Sequence, residues 1–156
     1  MITVLRRPVL AAFAAGCVAA VVASGGQAAS SPLRVIAVDI GPGTSSSDID
    51  LSRPGKLDVG DGFTETNVLL ANGRRIGRLE LTCTILRIVG GNPVNFHCSG
   101  LFFLPAGRVA IFGPLNGPRS TLAVVGGTGR YSGVRGEVRM RPLTEHRTEW
   151  LLKLIA

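Results

Sequence analysis

The chain has 156 residues, 17 Lys+Arg against 10 Asp+Glu, and a single Trp and a single Tyr. Its net charge of +7 is scattered, with no basic run and no aromatic side chains interleaved with basic ones. That pattern argues against a nucleic-acid partner and for a solvated surface.

Residues 1–28 read as an export signal. Arg6 and Arg7 form a basic head, residues 9–23 an apolar run, and Gly26-Gln27-Ala28 supplies the small residues that a signal peptidase reads. Cleavage is expected after Ala28, which makes the mature protein secreted or extracytoplasmic. Two alternatives stay open. One is a lipid-modified Cys17, against which the apolar residues 18–22 stand. The other is retention as a membrane anchor, for which the run falls short of the about 20 residues a span needs. Without the signal, 15 Lys+Arg face 10 Asp+Glu over 128 residues, enough for one domain spanning residues 29–156. The remaining excess leaves an anionic partner, such as an envelope polymer or a carboxylate ligand, open.

Beyond the signal no segment has a helical period. Strand signals recur instead, separated by Gly, Pro and Asn. The first strand is predicted over residues 33–40, followed by a long loop over 41–55 rich in Gly, Pro, Ser and Asp. The second covers 62–70 and ends at Asn72-Gly73, a strong tight-hairpin signal. The third, 75–87, turns through Gly90-Gly91 into the fourth, 94–104. Pro105-Ala106-Gly107 leads to the fifth, 108–112, and Gly113–Pro118 to the sixth, 120–125. After a glycine-rich turn the seventh covers 134–141, and Pro142-Leu143 leads to the last, 144–155. Eight short strands on tight turns predict an all-β, antiparallel, up-and-down barrel, whose interior is filled by side chains or holds one small ligand. The last strand is apolar on both faces, which predicts cover by another subunit on the outside.

The glycine-rich turn, Gly126-Gly127-Thr128-Gly129-Arg130-Tyr131-Ser132-Gly133, superficially suggests a phosphate loop. It misses the third glycine of a dinucleotide fingerprint by one place. Alternating residues follow it, with Val134, Val138 and Met140 on one face and Arg135, Glu137 and Arg139 on the other. That is a strand, not a helix whose N-terminus would receive a phosphate.

Cys83 and Cys98 lie equidistant from Gly90-Gly91, so a regular hairpin sets them opposite each other on one face. A cross-strand disulfide is favoured over two buried thiols, because an exported protein meets an oxidising compartment. A one-residue bulge near the turn would break that register.

Several segments in order carry a family resemblance over residues 57–156. They are Val59-Gly60-Asp61 with Thr66-Asn67-Val68-Leu69; Asn72–Gly77 with Leu81-Thr82-Cys83; Leu101–Leu104 with Gly107–Pro114; the run 122–138; and Trp150–Leu154. Together they resemble the allene oxide cyclase and dirigent-like barrel superfamily. The resemblance implies a barrel that confines a small apolar molecule and guides cyclisation or isomerisation, as a cofactor-free isomerase. It implies a dimer or trimer. Asn67 matches an asparagine that, in the plant cyclases, helps hold a water against the epoxide oxygen. Cys83 matches a cysteine beside the reacting chain. The first-strand carboxylate and asparagine of the plant enzymes have no clear counterpart, Asp39 being the one acidic residue there.

Glu65 and Asn67 share a face with Phe63 and Leu69. If that face lines the barrel, Glu65 is a candidate general acid or base and Phe63 a ligand contact; if it faces water, Glu65 is a solvated carboxylate. His97 is expected outside, opposite Cys98, and His146 at a rim. The two histidines have no metal-ligand spacing to each other or to the cysteines, so no metal site is expected. Tyr131 is expected to pack on its own turn, and Trp150 to be core or a subunit contact. Three functional classes remain: a cyclase or isomerase, a non-catalytic binder of a hydrophobic molecule at the envelope, and a structural protein with a filled barrel. Cavity size separates them, since a drug-sized ligand needs at least about 300 Å³.

Overall fold

The computed structural model describes residues 32–39, 41, 44–51 and 56–155. The expected export signal, its cleavage site and Cys17 lie outside them. Nine strands form one sheet: β1 (Leu33–Val38), β2 (Ser45–Ile49), β3 (Gly62–Ala71), β4 (Arg74–Val89), β5 (Asn92–Leu104), β6 (Gly107–Leu115), β7 (Ser120–Gly127), β8 (Arg135–Thr144) and β9 (Arg147–Ile155). β3 to β9 meander antiparallel in chain order. β1 closes the ring by pairing with β9 on one side and with the end of β3 on the other. The result is a closed eight-stranded antiparallel barrel with one additional strand, β2. Among the described residues no helix is long and apolar enough to cross a membrane.

β2 falls inside the predicted loop. Its sequence, Ser45-Ser46-Ser47-Asp48-Ile49, has no apolar alternation to announce a strand. It forms because β1 covers only the second half of β3, leaving the edge from Gly62 to Thr66 for β2 to pair. A second correction concerns the last turn. β8 continues through Pro142-Leu143 to Thr144, the turn is Glu145-His146, and β9 starts at Arg147. The register slips between Pro142 and Thr144, an irregularity that accommodates a residue without an N–H donor.

The Cys83–Cys98 expectation is met although the hairpin is irregular. Pairing is displaced at Arg87–Asn95 and restored by Ile85–Phe96, so the two slips cancel before Cys83 meets Cys98. The turn residues Gly90 and Gly91 both have positive φ, 58° and 81°, as a two-residue hairpin requires. The sulfurs are bonded at 2.01 Å, and both cysteines are buried on the inner face.

Period-two alternation fills one part of the barrel. Val35, Leu69, Leu79, Phe102, Val109, Ile111, Leu122, Val138 and Leu152 are fully buried. Their end of the barrel is closed by the glycine-rich turn, which includes a short 3₁₀ helix (Gly129–Tyr131). The turn lies against the β5–β6 hairpin: Thr128 N–H donates to the Arg108 carbonyl and Arg130 N–H to the Ala106 carbonyl, each at 2.9 Å. That approach needs bare backbone. A Cβ on Gly107 would run into the Thr128 carbonyl oxygen, and one on Gly129 into the Ala106 carbonyl oxygen. Tyr131 and Val134 pack beneath the turn onto the core. The opposite end, ringed by the β4–β5, β6–β7 and β8–β9 connections, carries the candidate site.

Candidate functional site

Alternation on β3 points Phe63, Glu65, Asn67 and Leu69 inward, with Cys83, Leu81, Leu79 and Gly77 as their partners on β4. Glu65 therefore belongs to the barrel wall, as the first of the two sequence alternatives required. Asn67 is only 5% exposed and its Nδ2 donates to Glu65 Oε2 at 3.3 Å. The two line a chamber of about 190 Å³ near the open end. Ala37, Leu81, Met140 and Trp150 give it an apolar wall. Asp39, His146 and Thr148 stand on the β1 and β8–β9 side. His146 Nδ1 lies 3.3 Å from Asp39 Oδ1, and both side chains are close to half exposed.

The chamber alone is smaller than a site for a drug-sized ligand. Phe63, Leu115 and Met140, however, also border a second space of about 530 Å³, whose other walls come from the start of β5 and the β6–β7 loop. Phe63 stacks edge-to-face on Phe96 between these walls, ring centroids 5.6 Å apart. The adjoining spaces reach the ordinary range of ligand sites, about 300–1,000 Å³. A separate depression of about 540 Å³ lies on the outer wall over Thr64, Thr82, Ser99 and Phe112, away from the barrel interior.

The sequence candidates divide as follows. Phe63, Glu65 and Asn67 come together at the chamber. Cys83 does not border it: its sulfur is bonded to Cys98 and buried, so the ligand-contact role implied by the resemblance does not fit this geometry. His97 points outward onto the Phe112 ring, centroids 4.4 Å apart, as expected. His146 sits at the rim, also as expected. Sequence reasoning missed Trp150 as a wall residue. It is 3% exposed, packs edge-to-face on Phe102 at 5.6 Å, and its indole Nε1 has no hydrogen-bond partner among the described residues. Period-two alternation with Leu152 placed it inside the barrel, but only closure by β1 and β8 brings it opposite β3.

Two carboxylates outside the chamber hold the frame. Asp61 is fully buried and accepts from the Leu51 N–H at 2.9 Å and the Asp58 N–H at 2.7 Å, fixing the approach to β3. Glu149 lies on the outer wall between Arg34 and Arg141, accepting from both. Burial pushes its carboxyl up, but the Arg34 hydrogen bond and the charges of Arg141 and Arg34 outweigh it. The net effect is a pKa below the ordinary carboxylate value.

Residues 44–152 match the family model described as the allene oxide cyclase barrel like domain. Among solved structures, a pyocyanin demethylase superposes with a TM-score of 0.66 at 24% identity, covering 79% of this chain and 98% of that one. A pterocarpan synthase dirigent protein gives 0.65 at 17% identity, over 80% and 94% of the two chains. An exo-specific intermolecular Diels-Alderase gives 0.55 at 20%, over 81% and 99%. No curated protein matches the chain. At these identities the structural neighbours speak for the fold alone.

Proposed function

The chain belongs to the allene oxide cyclase barrel-like family, and on that footing we propose that its barrel binds a small, largely apolar molecule and guides its cyclisation or isomerisation. One observation carries the reading: the hydrogen-bonded pair Glu65–Asn67 faces a chamber that Ala37, Phe63, Leu81, Met140 and Trp150 line on one side and Asp39, His146 and Thr148 on the other. Confinement supplies most of the effect, since holding a flexible molecule near its reactive conformation removes entropy from the barrier in advance. Asn67 orients a polar group of the ligand. Glu65 takes a proton from one atom of it and returns the proton to another, so the step is an isomerisation that consumes nothing. The neighbouring folds carry the names of a pterocarpan synthase dirigent protein and a Diels-Alderase, which fits a small-molecule ligand in this barrel.

The reading includes export, with cleavage after Ala28, which N-terminal sequencing of the secreted protein tests by finding Ala29 first. It also includes a dimer or trimer, in which the exposed Phe112 and Val125 of the outer wall are buried; sedimentation measures the mass. The functional test compares Glu65→Gln with the parent protein on the molecule recovered from it. Turnover should fall by about 10²–10⁴-fold with binding retained, the range of a lost acid–base group. Equal turnover would remove Glu65 from the chemistry. A second reading, a structural protein whose barrel is filled by its own side chains, is favoured by the small inner volume. It predicts no small-molecule binding by either protein.

A further inference from the structure

Among the described residues, Trp150 is the wall residue with a buried polar side-chain atom that has no hydrogen-bond partner. Its neighbours account for the ring: Val35 and Met140 are its register partners on β1 and β8, and Phe102 packs on its face. Nothing among the described residues accepts from Nε1, although the side chain is 97% buried by its 3% exposure. A buried N–H without an acceptor destabilises a fold, and such groups are rare unless they serve something else. The Trp150 ring borders the chamber, while Nε1 itself is covered from it in this structure. We propose that the ligand carries a neutral carbonyl oxygen, and that this oxygen accepts a hydrogen bond from Trp150 Nε1.

The class follows from the groups that share the chamber. An indole donates only, so its partner must be an acceptor. Glu65 and Asp39 border the same space against one histidine, His146, which contacts Asp39; this acidic excess disfavours carboxylates and phosphates, and among neutral acceptors the flat carbonyl of a ketone, an enone or a quinone-like ring suits a narrow chamber. The small volume favours one or two rings. Met140 shares the wall and is the cross-strand partner of Trp150. Its unbranched thioether can change rotamer to admit the oxygen. The carbonyl would then be polarised by Nε1, with Glu65 placed on the same chamber to move a proton from the carbon framework. This assignment rests on the binding reading above and gives it a substrate class.

The chain contains one tryptophan, so its indole N–H gives a single resonance in a ¹H–¹⁵N spectrum. The mature protein would be titrated with cyclohex-2-enone and, separately, with cyclohexene. The proposal expects the enone to move the indole resonance downfield and to bind Trp150→Phe about threefold to tenfold more weakly than the parent, the usual weight of one hydrogen bond. Cyclohexene should leave the resonance unhydrogen-bonded and bind both proteins alike. Enone binding that leaves the indole resonance in place, or that Trp150→Phe retains in full, would overturn the carbonyl assignment while leaving the ligand-binding reading intact. Binding of neither probe would overturn both. The parent protein's resonance decides the matter even if Trp150→Phe fails to fold.

Discussion

The two ends of this barrel are made from the same strands and behave oppositely. At the closed end, all eight barrel strands contribute buried aliphatic or aromatic side chains, and a glycine-rich turn lies directly on a neighbouring hairpin. At the open end the same inward positions include Glu65, Asn67 and a Trp150 N–H without a partner among the described residues, around a chamber. The difference teaches where the stability and the chemistry lie. One end is a continuous buried apolar core, where a change of volume is expected to destabilise; the other holds polar groups that contribute little to folding and are available to a ligand.

Changes at the closed end should therefore dominate stability. Phe102→Ala removes a fully buried ring and is expected to cost about 3–5 kcal/mol in denaturant unfolding. Phe63→Ala, at the partly exposed mouth, should cost less than half of that. Equal losses would contradict the division. Reduction of Cys83–Cys98, which closes 15 residues, should cost about 3 kcal/mol. Gly107→Ala follows, at more than about 1 kcal/mol by thermal unfolding. It meets both a positive φ of 144° and the Thr128 carbonyl oxygen.

Changes in the chamber should reverse the pattern. Asn67→Ala is expected to weaken ligand binding by about threefold to tenfold, the weight of one hydrogen bond, with unfolding shifted by no more than about 1 kcal/mol. A large stability loss without a binding change would make Asn67 a core residue. The smallest effect concerns Glu149. Its carboxyl is lowered in the folded chain, so the unfolded chain binds the proton more tightly. The stabilisation is complete above the ordinary carboxylate value, about 4.3, and is lost as pH falls through the lower folded value. Glu149→Gln should flatten that acid limb, by at most about 1 kcal/mol for pairs whose arginines stand in solvent.

Alternation and turn chemistry made most of the barrel legible. Leu79, Leu81, Cys83 and Ile85 alternate with exposed residues on β4 as their spacing demands, and both two-residue glycine-bearing turns form where they are written. β2 was not legible, because a serine-rich edge strand is created by an unfilled sheet edge and carries no pattern of its own. The final turn was misplaced because Pro142 signals a break, yet a register slip absorbs it. Of the site, the β3 face was readable from period-two spacing, as was the hairpin register of Cys83. The opposing wall was not. Ala37, Met140 and Trp150 come from strands far apart in sequence, and only ring closure brings them to Glu65 and Asn67.

The central claim is that the open-end chamber is built for a ligand, and organic extraction of the purified protein followed by mass spectrometry tests it most directly. Ala37→Leu, which adds bulk to the chamber wall, serves as the control. The account predicts one small, largely apolar molecule near one equivalent per chain in the parent protein and its loss from Ala37→Leu. An extract that is empty, or unchanged by Ala37→Leu, would contradict it.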